Sequence, residues 1–394
     1  MNILVVAFDL GVTSSGIVTD RVCAQLSSNG HLVRVITSEC TNAVRSFDVC
    51  VISPHPLKPA RLYSVMGNAV GRDLNYLFWE NRAVRSGIAM IDAIRPDVIY
   101  ARGSPGCALP VGHKLSVASG VPLAIHFADP IPATPDWQKS VLARRRHLRT
   151  ILPAQRHASL VTIVNERMLD YQQETTGEAL LDKSLILPNP VPAPMSIGQI
   201  PHDRFVFSFL GSFFGSRRPD SLLTAFASLA ARNPLVDLHI YGAWPSNLPK
   251  ILMTDPLLNG RVVLKGWTRD VAAAIGNSSC LVDVDADSEH AVYTSNKLMD
   301  YLSVDRPILL ISPPGSASRD LIAGLSRTCF NAVHNREAIE AAMEAVIAKC
   351  WTGADFVERH ALRRTLSLEV TTALLETRLA ALAGVPPALG RRDN

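Results

Sequence analysis

Three loops, two of them glycine-bearing, carry the residue types that could do chemistry on an anionic ligand. Phe209-Leu210-Gly211-Ser212-Phe213-Phe214-Gly215-Ser216-Arg217-Arg218-Pro219 ends in two arginines and a proline suited to a first helical turn. A guanidinium offers a planar fork to phosphate oxygens, and a helix start adds the positive end of its dipole. A solvated pair of surface charges is the plainer alternative. Ser295-Asn296-Lys297-Leu298-Met299-Asp300 opens a helix with polar residues and a cation. Lys297 and Asp300 lie three apart, on one face. They suit a diphosphate and ribose hydroxyls, or equally a surface ion pair. In Asp9-Leu10-Gly11-Val12-Thr13-Ser14-Ser15-Gly16, Gly11 and Gly16 permit close backbone approach. Free N–H groups at the following helix start would favour an anion or a sugar hydroxyl. The loop is not Gly-x-Gly-x-x-Gly and has no P-loop lysine. The acidic run Asp283-Val284-Asp285-Ala286-Asp287-Ser288-Glu289-His290 lacks the glycine and terminal glutamate of a calcium loop, so a solvated rim is expected there.

Those loops need a scaffold, and the composition supplies one. The chain has 394 residues, 47% hydrophobic and 19% charged, enough for two α/β domains and too apolar for a disordered protein. Aromatics at 6% argue against a base-stacking surface, and a net charge of +4 does not call for nucleic acid. The 7 cysteines form no Cys-x-x-Cys pair, so reduced thiols are expected and no metal site. The N-terminus reads as a strand and not a signal peptide. No apolar run approaches the ~18–20 residues of a membrane span, so a cytoplasmic protein is expected.

Short apolar runs at 3–8, 32–36, 49–53, 98–101, 123–127, 160–164 and 184–187 look like strands buried on both faces of a parallel sheet. Helical periodicity at 16–26 between the first two makes a βαβ unit. Four prolines in 188–194 mark a linker. Strands are expected again at 205–210, 235–241, 261–264, 281–284 and 307–311, with helices between them. Segments 337–348 and 354–382 read as long helices. The expected domains are 1–195 and 203–365, then a C-terminal helix at 366–384 packing back toward the first domain, and a flexible tail at 385–394. Ligands of such folds sit at the carboxyl ends of the strands, so the cleft between two doubly wound domains is the place to look.

Several segments in order resemble the GT-B glycosyltransferases of the family 4 type (glycosyl transferases group 1) over about residues 1 to 325. They are Asn29-Gly30-His31-Leu32-Val33, Gly120 to Pro130, Ile186 to Pro190, Phe209 to Pro219, Val263-Leu264-Lys265-Gly266-Trp267 and Ser295 to Leu302. Asp300 stands at the second position of that family's Glu-x7-Glu pair and Val292 at the first, while Ser295 replaces a proline and Ser212 an arginine. The resemblance implies two Rossmann-like domains, acceptor-binding then donor-binding, and transfer of a sugar from a nucleoside diphosphate sugar. The product would be a glycan, a glycolipid or a glycosylated metabolite. It implies Arg217, Arg218 and Lys297 on the diphosphate, with Gly211, Ser212, Ser295 and Asn296 lining the donor site. Asp300 would bind ribose hydroxyls, Gly11 and Gly16 the donor phosphate and acceptor, and His126 the transferred sugar. Retention of configuration by front-face transfer, with no metal or other cofactor, is the implied chemistry.

Two other functions stay open: a nucleotide-sugar epimerase of the same architecture, and a non-catalytic two-lobed ligand-binding module. The stretch from Lys139 to Arg156 holds six Lys/Arg and no acid, and Val141, Leu142, Leu148, Ile151 and Leu152 supply an apolar component. It reads as a solvated helix packed on the sheet, or as a peripheral contact with anionic lipid.

Overall fold

The computed structural model describes the chain apart from residues 55–57, 196, 199–202, 269 and 386–394. Most of the stretch between the expected domains, 196–202, and nearly all of the expected tail thus lie outside the described residues. The chain divides into two compact units, Met1–Pro190 with Leu368–Asn394, and Val191–Ser367.

The first unit is built on seven strands: β1 (Asn2–Ala7), β2 (Leu32–Thr37), β3 (Asp48–Val51), β4 (Val98–Arg102), β5 (Leu123–Phe127), β6 (Leu160–Ile163) and β7 (Ser184–Ile186). They pair in parallel in the order β3-β2-β1-β4-β5-β6-β7. Val5, for example, lies opposite both Val35 and Tyr100. Every residue of β4 and β5 is buried, as the continuous apolar runs require when helices cover both faces of a sheet. The second unit has β8 (Phe205–Leu210), β9 (Val236–Tyr241), β10 (Val262–Gly266), β11 (Cys280–Val284), β12 (Ile308–Ile311) and β13 (Cys329–Ala332). Their order is β10-β9-β8-β11-β12-β13, again parallel throughout. In each sheet the first strand lies between neighbours reached in opposite directions. The loops leaving β1 and β8 therefore open at a switch point, where a ligand finds a crevice.

Two expectations change. The helix expected over 354–382 is broken into a 3-10 turn at Gly353–Phe356 and helices at Val357–Thr365 and Leu368–Ala383. The break has a reason: Leu366 is buried in the core of the second unit, whereas Leu375 and Leu379 belong to the core of the first. The Val191 amide donates to the Leu366 carbonyl at 2.8 Å, where the chain enters and leaves the second unit. The edge strand β13 lies outside the expected strands; its Cys-Phe-Asn-Ala is four residues long and only its two ends are buried.

In the first unit the helix Ser14–Ser28 sends Val18, Val22 and Leu26 into one cluster with Leu375 and Leu379. Leu375→Ala should therefore cost about 2–5 kcal/mol of stability, the price of a cavity in a closed core. Chemical denaturation checks this.

Candidate functional site

In the second unit the carboxyl ends of β8 and β11 bring four charged residues together. Asp283, the fourth residue of β11, is fully buried, and Asp285 just beyond it is 7% exposed. Residues two apart on a strand face the same way, so both carboxyls turn to one side. Lys297 Nζ lies 3.2 Å from Asp283 Oδ1 and donates to Ser295 Oγ at 3.1 Å. Its stem crosses Gly211, where an added Cβ would sit 2.6 Å from Lys297 Cδ. Its ammonium lies 5.4 Å from the centre of the Phe209 ring. Tyr301 ties the two strands: its hydroxyl accepts from the Leu210 amide at 2.9 Å and donates to the Val282 carbonyl at 3.3 Å.

Burial pushes the Asp285 carboxyl up to about 7, and the neighbouring Asp283 charge adds to the rise. The Ser318 hydroxyl, Arg217 and Lys297 oppose it. Burial likewise lowers the Lys297 ammonium, with Asp283 pulling the other way and Arg217 adding repulsion. Arg217 is thus within electrostatic reach of both. Its Nε is buried without a hydrogen-bond partner, and its guanidinium sits 5.8 Å from the Phe214 ring centre. A half-buried cation with an unused donor suits an incoming anion.

The expected solvated rim at 283–290 is therefore corrected at its first two acids. Asp283 and Asp285 are buried partners of the cations, because the strand that carries them is covered on both faces. The signal in the sequence was their spacing of two directly after an apolar run. Arg218 turns elsewhere, to Asp220 at 3.3 Å, both side chains exposed. Ser212 Oγ accepts from the Ala243 amide at 3.4 Å. Lys297 pairs with Asp283 and not with Asp300, which is half-buried on the same short helix as Asn296, Asn296–Leu302.

Gly242 supports the loop from below. Its φ is +96° and an added Cβ would lie 2.1 Å from the Gly211 carbonyl oxygen. Gly242→Ala should destabilise by at least about 2 kcal/mol, combining left-handed strain with overpacking, as read by thermal denaturation.

The residues expected in the first unit are placed as follows. Asp9 is 3% exposed and accepts from the Thr13 amide at 3.0 Å and the Thr13 hydroxyl at 2.8 Å. Thr13 Oγ1 in turn accepts from the Gly16 amide at 3.1 Å. These two N–H groups, expected free, are already bonded inside the loop. Gly16 is glycine because a Cβ there would sit 1.6 Å from Asp9 Oδ1, and Gly11 adopts φ +79°. His126 is 1% exposed at the end of β5; its Nδ1 lies 2.9 Å from Thr162 Oγ1. Burial, then the charge of Arg102, holds its pKa well below the usual histidine range. Its Nε2 and Thr372 Oγ1 lack hydrogen-bond partners, and both residues line a cavity of about 10 Å3, room for one water.

A larger cavity of about 360 Å3 opens at the carboxyl ends of β4 and β5. Ser104, Asp129, Asn75 and Arg146 are among its polar groups, with Asp73 and His147, and Tyr76 and Ile131 form part of its apolar wall. Ser104 Oγ donates to Asp129 Oδ2 at 3.2 Å, and Asn75 Oδ1 and Arg146 Nε are buried without partners. Among the described residues no group of three or more His, Cys, Asp or Glu could hold a metal ion.

No protein-family model matches the chain, and no curated protein matches it. Solved structures do. A glycosyltransferase from Rickettsia africae ESF-5 superposes with a TM-score of 0.69 at 13% identity, covering 97% of this chain and 98% of that one. Anabaena Alr3699/HepE in complex with UDP gives 0.57 at 16% identity, covering 98% of each chain. A putative UDP-N-acetylglucosamine 2-epimerase from Listeria monocytogenes gives 0.60 at 9% identity, covering 98% of each. At these identities the likeness is one of fold: two Rossmann-like units with parallel sheets, the GT-B fold.

The raised pKa of Asp285 has a stability consequence. Below the unfolded-state carboxyl pKa of about 4 the group is protonated in both states. As pH rises from about 4 to about 7 the unfolded chain ionises first, so stability is lost. Asp285→Asn should thus be neutral near pH 4, increasingly stabilising up to pH 7, and level above it. Melting temperatures of both proteins across that range, with an expected gap of a few degrees at pH 8, check the sign.

Proposed function

We propose that the protein is a glycosyltransferase that moves a sugar from a nucleoside diphosphate sugar to an acceptor hydroxyl. What carries the reading is the convergence of Arg217 and Lys297 with Asp283 and Asp285 at the switch point of the second unit, on a fold whose solved examples include a glycosyltransferase and a UDP complex. Arg217 grips the diphosphate through its unused Nε and its fork, and Lys297 adds a second cation. Both stabilise the negative charge that grows on the leaving diphosphate, in the place a metal would otherwise take. Asp300 and the neighbouring polar residues Ser295 and Asn296 take the ribose side, with Gly211 and Ser212 admitting the phosphates. The acceptor occupies the first unit's larger cavity, where paired donors and acceptors over an apolar wall suit hydroxyl groups. Transfer proceeds with retention, a donor phosphate oxygen taking the acceptor proton.

The epimerase in the same fold favours one second reading. A carboxyl near pH 7, such as Asp285, can move a proton during elimination. The two readings part on one measurement. An epimerase turns over a nucleotide sugar with no acceptor and incorporates solvent deuterium, whereas a transferase does neither.

Arg217 is the clean test of the donor site. Arg217→Ala should weaken nucleoside diphosphate binding about 10- to 100-fold and lower turnover, since a charge-assisted contact is worth about 1.5–3 kcal/mol. Arg217→Lys should rescue it in part. Stability should change little. Lys297→Ala is less clean, because it leaves Asp283 buried without its cation and should destabilise by about 3–5 kcal/mol. Isothermal titration with UDP, GDP and dTDP reads the binding; wild-type affinity in Arg217→Ala places the diphosphate elsewhere.

A further inference from the structure

One helix of the first unit is turned inside out. Ala60–Val70 carries Leu62, Val65, Met66, Ala69 and Val70 at the spacing of an apolar helical stripe, which normally faces a core. Here the stripe faces solvent: Leu62 is 52% exposed, Val65 66%, Met66 47% and Val70 61%. The packed side is the small one, where Gly67 lies buried against Arg146 and the carbonyl of Arg72.

The neighbouring helix Val141–His157 continues this surface. Arg146 Nη1 donates to the Ser64 carbonyl at 3.2 Å, and an added Cβ on Gly71 would meet Arg149 at 2.6 Å. On the stripe alongside, Leu142, Arg145 and Arg149 are exposed at spacings of three and four. Ile151 is buried and Arg146 points inward to Asp73 at 3.5 Å. The apolar component of this face therefore comes chiefly from 60–70 rather than from the basic stretch itself. Neither helix contains an acid. Lys58, Arg61 and Arg72 are exposed at the ends of the first, and the nearby Glu80 is buried.

We propose that this two-helix face docks on an anionic lipid bilayer, with Leu62, Val65, Met66 and Val70 entering the headgroup boundary and Lys58, Arg61, Arg72, Arg145 and Arg149 on the phosphates. An apolar stripe rimmed by one sign of charge is what a membrane interface selects. A purely apolar partner would leave five cations unanswered, and a second copy would set them against one another. The inference stands on the first unit alone and does not depend on the transferase reading.

Vesicle flotation of the full chain tests it, with phosphatidylcholine alone and with added phosphatidylglycerol. The wild type should float only with the anionic vesicles and be released by high salt, as screening requires. Val65→Ser/Met66→Ser should lower partitioning severalfold. Arg145→Glu/Arg149→Glu should lower it by at least about 30-fold, because each basic residue near the surface adds about a factor of five to ten. Unchanged far-UV circular dichroism and melting temperature show that the variants fold. The proposal is overturned if the wild type fails to float, or if it floats equally on neutral vesicles. It is also overturned if sedimentation shows a dimer that Val65→Ser/Met66→Ser dissolves while no vesicle binding is seen.

Discussion

A carboxylate with no access to water at Asp283 governs the second unit. A buried charge of this kind is tolerated only beside a countercharge, and Lys297 is the one that reaches it. To get there the lysine stem must cross the main chain at residue 211, which leaves room for hydrogen alone. The Gly211 carbonyl in turn presses on residue 242, which must be glycine at a positive φ. A single desolvated acid thus fixes a lysine rotamer, two glycines and the distance between the β8 and β9 loops. Tyr301 completes the clamp by bridging β8 and β11 through its hydroxyl.

This arrangement also bears on how an anion would be received. Lys297 is already neutralised by Asp283, so its full charge is not on offer to a ligand. Arg217 is less committed, with a buried Nε that nothing accepts from. Two acids within reach of two cations form a balanced cluster in which one protonation shifts the sign. With Asp285 near pH 7, a diphosphate arriving there would draw a proton in with it.

The sheets were legible in the sequence because buried parallel strands announce themselves as near-continuous apolar runs, and β1, β5 and β8 fall within a residue of those runs. What escaped was information carried by contact. Nothing in the string Asp-Val-Asp says whether water reaches it; only the cover on both faces of β11 does. The helix at 354–382 looked continuous because its periodicity is uninterrupted across Leu366, yet its two parts feed different cores. The 60–70 segment is the reverse case: its apolar stripe is plain in the sequence, but periodicity alone assigns such a stripe to an interior. Gly16 was read as making room for a ligand, while the structure gives that room to Asp9.

The first unit is discontinuous, since its core takes Leu375 and Leu379 from a segment that follows the whole of the second unit. Synthesis runs from the N-terminus, so the 14–28 helix emerges long before the residues that cover it. Until Leu368–Ala383 is made, Val18, Val22 and Leu26 have lost part of their partner surface and face the solvent or whatever holds the nascent chain. The second unit is one uninterrupted segment and can close first. The order of folding on the ribosome is thereby inverted: the domain begun first is the one finished last, and a premature stop after Ser367 would spare the second unit while leaving the first one open.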